Sequence, residues 1–237
     1  MPPQNLNKVM AKKNTGKPAQ KTEEAAVAQA LSKSEEFFAK NRKLITIILL
    51  AIVVVVCLIF AYMKWIREPR RQEALGQLFP AEQYFRIDSF DLALNGDGNA
   101  LGFKEIINQY KALPGKVIYF YAGVCELQLG NYQEAINYLA KFHANDDIIQ
   151  ARAFCNLGDA YVGLNNNQKA LTYYLKAANY KDNAYAAYYY KKAGLMYEEL
   201  GDKANALSTY QTIKNKYPQT LEAYEIDKYI SRLQIAQ

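Results

Sequence analysis

The chain has 237 residues, 51% of them hydrophobic, with 29 Lys and Arg against 23 Asp and Glu for a formal net charge of +6. That apolar content can build a domain core and is too high for a wholly disordered protein, and 12 Gly and 7 Pro exclude collagen-like or low-complexity architectures. Three cysteines without close spacing exclude a disulfide-stapled scaffold, and a single histidine, His143, leaves little for His-dependent hydrolysis or metal chemistry.

Residues 1–43 read as a polar tail carrying a net charge of +5, which leaves the rest of the chain close to neutral at +1. The basic character belongs to the tail and not to the body. Up to Gln20 the Lys, Asn, Pro and Gln composition predicts disorder, and Thr22 to Lys40 favour helix. Residues 44–63 (LITIILLAIVVVVCLIFAYM) carry no charge. At helical rise they extend about 30 Å, the thickness of a bilayer's hydrocarbon core. Lys40, Arg42 and Lys43 precede this run, and Lys64, Arg67, Arg70 and Arg71 follow it. Tyr62 and Trp65 stand where amphipathic rings favour the membrane interface. The run is too long for a signal peptide and has no A-x-A-like site after it, so an uncleaved transmembrane helix is expected. The flanking charges tie. The five further basic residues of the short tail favour a cytoplasmic N-terminus and a body outside.

Residues 64–115 read as a linker helix and a degenerate repeat, with Gly102, Ile106 and Pro114 in loosely suitable places. The loop Asn95 to Phe103 has an Asn95, Asp97, Asn99 spacing like the start of a calcium loop. Ala100 and Ile106 occupy the positions that need Gly and Glu, so a plain turn cluster is expected and no metal site.

From residue 116 onward a repeat governs the pattern, in units 116–150, 151–186 and 187–218. A small residue recurs at Gly123, Gly158 and Gly194, an alanine at Ala135, Ala170 and Ala206, and a large apolar residue at Leu139, Tyr174 and Tyr210. The spacing is 35 and then 36 residues in every column. Each unit is expected to form two helices joined by a polar turn: Gly130-Asn131, Asn165-Asn166-Asn167 or Gly201-Asp202. Glycine on one helix and alanine on the other let the backbones approach, and the pairs stack because one alone cannot bury its apolar face. Pro218 stops the third unit, and 219–237 is expected to cap the stack with polar residues outward.

At these residues the chain resembles the tetratricopeptide repeat family. Leu157, Gly158, Tyr161, Ala170 and Tyr174 carry the resemblance in the central unit, and Gly194, Tyr197, Ala206, Tyr210 and Pro218 in the third. The first unit departs, with Glu126 where the family favours Tyr. The expected fold class is therefore all-α: a single N-terminal transmembrane helix followed by an α-solenoid of tetratricopeptide-type helical hairpins. The resemblance implies a concave first-helix face that binds protein segments. By register that face includes Phe120, Val124 and Leu127 in unit one, with Arg152, Asp159, Tyr188, Lys191 and Leu195 in units two and three. A Lys/Asn clamp for a C-terminal carboxylate is disfavoured, because Phe120, Val124 and Cys155 stand where it needs polar donors. Of Tyr185, Tyr188, Tyr189 and Tyr190, the core is the expected place for Tyr189 and Tyr190. Cys125 and Cys155 are expected as free, packed thiols, and His143 as a surface residue at a helix end.

The whole-chain layout, with FFAKNRK before the apolar run, LALNGDG at 92–98 and YFYAGVCELQLGNYQEAINYL at 119–139, is similar to the YfgM-like ancillary subunits of the Sec translocon in Bacteroidetes-type bacteria. That resemblance implies a single-pass inner-membrane protein with periplasmic repeats and no enzymatic activity or cofactor. Its partners would be translocon subunits, periplasmic chaperones or segments of client proteins, with the bilayer around residues 44–63 and neither nucleic acid nor small-molecule substrate. A mitochondrial outer-membrane import receptor with cytosolic repeats, or an envelope-assembly scaffold, shares the layout.

Overall fold

The computed structural model describes residues 37–235 except Asp182. The expectations of disorder up to Gln20 and of helix before residue 37 lie outside that range. The described residues carry helices and loops, with one isolated bridge between Gly96 and Leu101. The chain divides into two compact units, residues 1–63 and 64–237.

In the first unit, α1 spans Arg42–Tyr62 and buries none of its residues. Nearly every side chain along it is apolar and solvent-facing, from Leu44 to Phe60. The helical stretch Arg42–Arg86 that begins with it is long and apolar enough to cross a membrane, by length and composition, and no other helix among the described residues is.

The second unit opens with α2 (Glu68–Arg86), followed by the short α3 (Phe90–Asn95) and α4 (Phe103–Tyr110). One long helix thus lies against two short ones, rather than against a partner of its own length. The 96–102 loop that separates them is held from within. Asp97 accepts hydrogen bonds from the Asn99 and Ala100 N–H groups and from the Tyr84 hydroxyl. A Cβ on Gly102 would collide with the Leu94 carbonyl and the Gly96 nitrogen. Leu78, Ala93, Leu94, Phe103 and Ile106 form a core that continues into the next helix through Ile118 and Cys125.

Three helical hairpins follow: α5 (Val117–Gln128) with α6 (Tyr132–Leu139), α7 (Asp147–Gly163) with α8 (Asn167–Ala178), and α9 (Ala186–Glu199) with α10 (Lys203–Lys216). The columns seen in the sequence meet in space. A Cβ on Gly123 would lie 2.6 Å from Leu139 Cγ, one on Gly158 would lie 2.5 Å from Tyr174 Cε1, and one on Gly194 would overlap the Tyr210 ring. Ala135, Ala170 and Ala206 are fully buried beside them.

The three turns share a backbone as well as a register. Gly130, Asn165 and Gly201 all adopt a left-handed conformation, at φ 79°, 56° and 77°, which glycine and asparagine tolerate best. The residue after each begins the second helix, where Asn166 and Asp202 cap by accepting the backbone N–H three residues on. Asn131 does not cap; its side-chain amide donates to Glu126 Oε2 at 2.8 Å.

The capping helix α11 (Leu221–Ile235) follows Pro218 and buries Ile226 and Leu233 against α10. Its outer face is less polar than the sequence predicts, since Leu221, Tyr224 and Ile235 stand out in solvent. Helices α5 and α9 begin within a residue of positions 116 and 187. Helix α7 starts earlier than residue 151, because the Asp146 side chain caps it by accepting from Ile148 and Ile149.

Candidate functional site

Helix α7 places Arg152, Cys155, Asn156 and Asp159 at spacings of three, one and three, which brings them to one side of the helix. Helix α9 places Tyr185, at its N-terminal boundary, beside Tyr188 and Tyr189, and α11 contributes Glu222. Together these side chains line a groove of about 390 Å³ that runs from α7 over α9 to α11. Tyr189 and Cys155 are both buried in its floor, whereas Tyr185 and Tyr188 are 53% and 41% exposed. Burial is the main reason that the Cys155 thiol and the Tyr189 hydroxyl are both pushed up to about 12, so both stay protonated.

The charges of the groove are unequal in availability. Asp159 Oδ1 accepts from the Tyr174 hydroxyl and from Lys192 Nζ, so its charge is compensated within the fold. Burial works against the Lys192 ammonium, but the neighbouring Cys155 and Asp159 outweigh it and hold its pKa above the ordinary lysine range. Arg152 is exposed and forms no ion pair among the described residues, and Glu222 likewise forms none.

Of the residues that register places on the binding face, Arg152, Asp159 and Tyr188 come together in this groove. The first unit's trio does not line it. Phe120 is only 9% exposed and packs against Phe142, at a ring separation of 5.3 Å, because the chain after α6 folds back over it. Val124 and Leu127 are half-buried around the same core, with Ala153 and Leu157 of α7 within it. Lys191 lies against the capping helix, with Nζ 2.8 Å from Glu225 Oε2 and over the Tyr229 ring. Leu195 lines a shallower pocket with Val162, Lys192 and Met196. Tyr190 is half-buried, its hydroxyl donating to Asn179. Of the family-type positions, Leu157 is buried, Tyr161 stacks on Tyr173 at 5.3 Å, Tyr197 is half-buried, and Pro218 follows the end of α10. Cys125 and Cys155 are free and buried, and His143 is exposed in the loop after α6.

Sequence reasoning missed Asn156 and Glu222. Asn156 was within reach, one helical turn from Arg152 on the same face. Glu222 lies on the capping helix, where the repeat register has no column to point at it. The Glu126 that departs from the family pattern is completely buried. Its Oε1 lies 2.8 Å from Lys104 Nζ of α4, and its Oε2 takes the Asn131 amide. The hydrogen bond from Lys104, more than burial or charge alone, decides that lysine's raised pKa.

Models of the tetratricopeptide repeat match residues 118–146, 151–183 and 187–220. These three segments are tetratricopeptide repeats. Each falls on one of the three hairpins, extending four to seven residues past its second helix, and residues 64–115 lie outside them. No curated protein gives a significant sequence match. Among solved structures, two titled "Crystal structure of MamA" and "Crystal structure of MamA protein" are similar to the chain at 22% identity and a TM-score of 0.50. They cover 66% and 68% of this chain and 88% and 87% of their own. At that identity the likeness is one of fold.

Proposed function

We propose that this chain is a membrane-tethered, non-enzymatic protein-interaction module whose tetratricopeptide repeats bind segments of partner proteins in the α7–α9–α11 groove. The observation that carries this is the groove itself: two repeats and the cap converge on one depression with exposed tyrosines and with Arg152 and Glu222, neither of which forms an ion pair among the described residues. Repeats of this family bind proteins or peptides through such faces, and the titratable groups in the floor, Cys155 and Tyr189, are held in their unreactive protonated forms.

The apolar helix α1 supports the tether. Its exposed apolar length matches a bilayer core, and tethering raises the effective concentration of weak partners at the membrane. The layout of basic tail, apolar helix and repeats leads us to place the repeats outside the bacterial inner membrane, in the role of an ancillary subunit of the Sec translocon. The test is crosslinking in cells followed by mild-detergent purification of the full chain and mass spectrometry. Recovery of translocon subunits, periplasmic chaperones or secretory chains supports the role. Recovery of cell-wall or envelope-assembly proteins alone replaces it with a scaffold, and extraction of the protein by alkaline carbonate without detergent overturns the tether.

A further inference from the structure

The groove's charge arrangement narrows what it can bind. Its two charged walls face each other across α9: Arg152 on α7 and Glu222 on α11, with exposed Tyr185 and Tyr188 between them. The other charges of this face are spent inside the fold, Asp159 on Lys192 and Tyr174, and Lys191 on Glu225. Among the described residues, an occupant therefore meets the Arg152 cation, an aromatic middle and the Glu222 carboxylate, which makes no ion pair and whose charge is only partly offset by Lys191, in that order. We propose that the groove selects an extended peptide segment with an acidic side chain, then a bulky apolar or aromatic one, then a basic one, set against Arg152, the tyrosine pair and Glu222 respectively.

The guanidinium can take a carboxylate through two parallel hydrogen bonds, which a lysine at this position could not. The tyrosines offer large contact area with few rotatable bonds to immobilise. Opposite charges at the two ends also fix the direction of the bound chain, since the reversed segment would bring like charges together at both walls. This preference rests on the groove being a peptide site at all, and the test separates the two ideas.

The full chain, purified in mild detergent, is titrated against fluorescent peptides with acetylated and amidated ends, so that no terminal charge contributes. One peptide carries Glu, then Leu-Phe, then Lys at adjacent positions; a second exchanges the Glu and Lys; a third replaces both by Gln. The acidic-first peptide is expected to bind about tenfold more tightly than the exchanged one. Arg152→Glu combined with Glu222→Lys should invert that order, and Arg152→Lys should keep its sign with a reduced ratio. Arg152 is exposed and Glu222 half-buried, and neither forms an ion pair among the described residues; far-UV circular dichroism checks that each variant is folded. Equal binding of all three peptides, lost on Tyr188→Ala, would overturn the charge selection while leaving the peptide site standing. Binding that is insensitive to Tyr188→Ala, or no binding of any peptide, would overturn both.

Discussion

Replacing Gly158 with alanine adds one methyl group, and the structure says where it must go. The new Cβ would lie 2.5 Å from Tyr174 Cε1, 2.6 Å from Cδ1 and 3.1 Å from Cζ. Carbon atoms pack at about 3.5 Å or more, so the ring must retreat by roughly 1 Å. It has little freedom to do so, being 3% exposed and fixed at its far end by the hydroxyl's bond to Asp159. Forcing an extra methyl into a packed core costs about 1–3 kcal/mol. A weakened bond to the carboxylate adds part of the about 1.5–3 kcal/mol that such bonds contribute. Alanine's better helix propensity returns about 0.5–1 kcal/mol. The net expectation is a loss of about 2 kcal/mol, a balance built from those three contributions. Gly76 provides the internal control: it lies within α2 with nothing within 4 Å of its Cβ position. Alanine there should add about 0.5–1 kcal/mol of stability. Urea unfolding of both variants by far-UV circular dichroism should move the two midpoints in opposite directions. A Gly158→Ala midpoint at or above that of the parent would refute the claim that this glycine exists for helix contact.

Four further expectations can be checked together. Glu126→Ala removes one half of a buried pair and should destabilise by about 2 kcal/mol, less than a fully enclosed pair because Lys104 keeps contact with water; urea midpoints measure it. The raised pKa of Lys104 fixes the sign of the alkaline response: the stability it contributes is complete below the ordinary lysine range and disappears as pH rises through its higher folded value. Asp97 behaves oppositely. Hydrogen bonds from Ala100, Tyr84 and Asn99 hold its carboxyl down at about 2, so the order of the 96–102 loop should survive acidification below the usual aspartate range and fail only near that value; a pH series of amide signals from Asn99 and Ala100 reads it. Burial pushes the Cys125 and Cys155 thiols up to about 12, so both should resist an aromatic disulfide reagent in the native protein and react in urea; prompt native reaction would contradict their packing.

The repeat was legible because close helix approach leaves few residue choices. Gly123, Gly158 and Gly194 oppose Leu139, Tyr174 and Tyr210 for a steric reason that recurs unchanged in each unit, so periodicity in the sequence is contact in the structure. The turns were legible for a similar reason, since a left-handed residue confines the choice at 130, 165 and 201, and a cap follows it at 166 and 202. The binding face was only half legible. Register tells which side of a first helix a residue occupies, and Phe120, Val124 and Leu127 do occupy it. It does not tell whether something else has covered a given residue, and here Phe142, from the irregular stretch after α6, packs over Phe120. Residues 64–115 were the hardest to read. Their helices have unequal lengths, and the contacts that hold them, Lys104 to Glu126 and Tyr110 to Glu73, join residues with no common period.

The same limit governs the chemistry of the groove. Summed over residues 44–237 the charge is close to neutral, and nothing in that sum distinguishes Arg152 from Lys191 or Lys192. The structure distinguishes them by partner. Lys192 is bound to the carboxylate of the preceding repeat and Lys191 to that of the cap, each across more than thirty residues of sequence. The Lys191 pair, half open to water at Glu225, adds little to stability, and the more enclosed Lys192 pair sets its attraction against the cost of desolvation, so their larger consequence here is for recognition. By pairing Asp159 and Lys191 they reduce two charges that a partner would otherwise meet, and they leave Arg152 and, partly offset by Lys191, Glu222 as the charges of the groove. A repeat stack of nearly neutral composition can in this way present a polar direction to a bound segment, with the capping helix supplying one of its two ends.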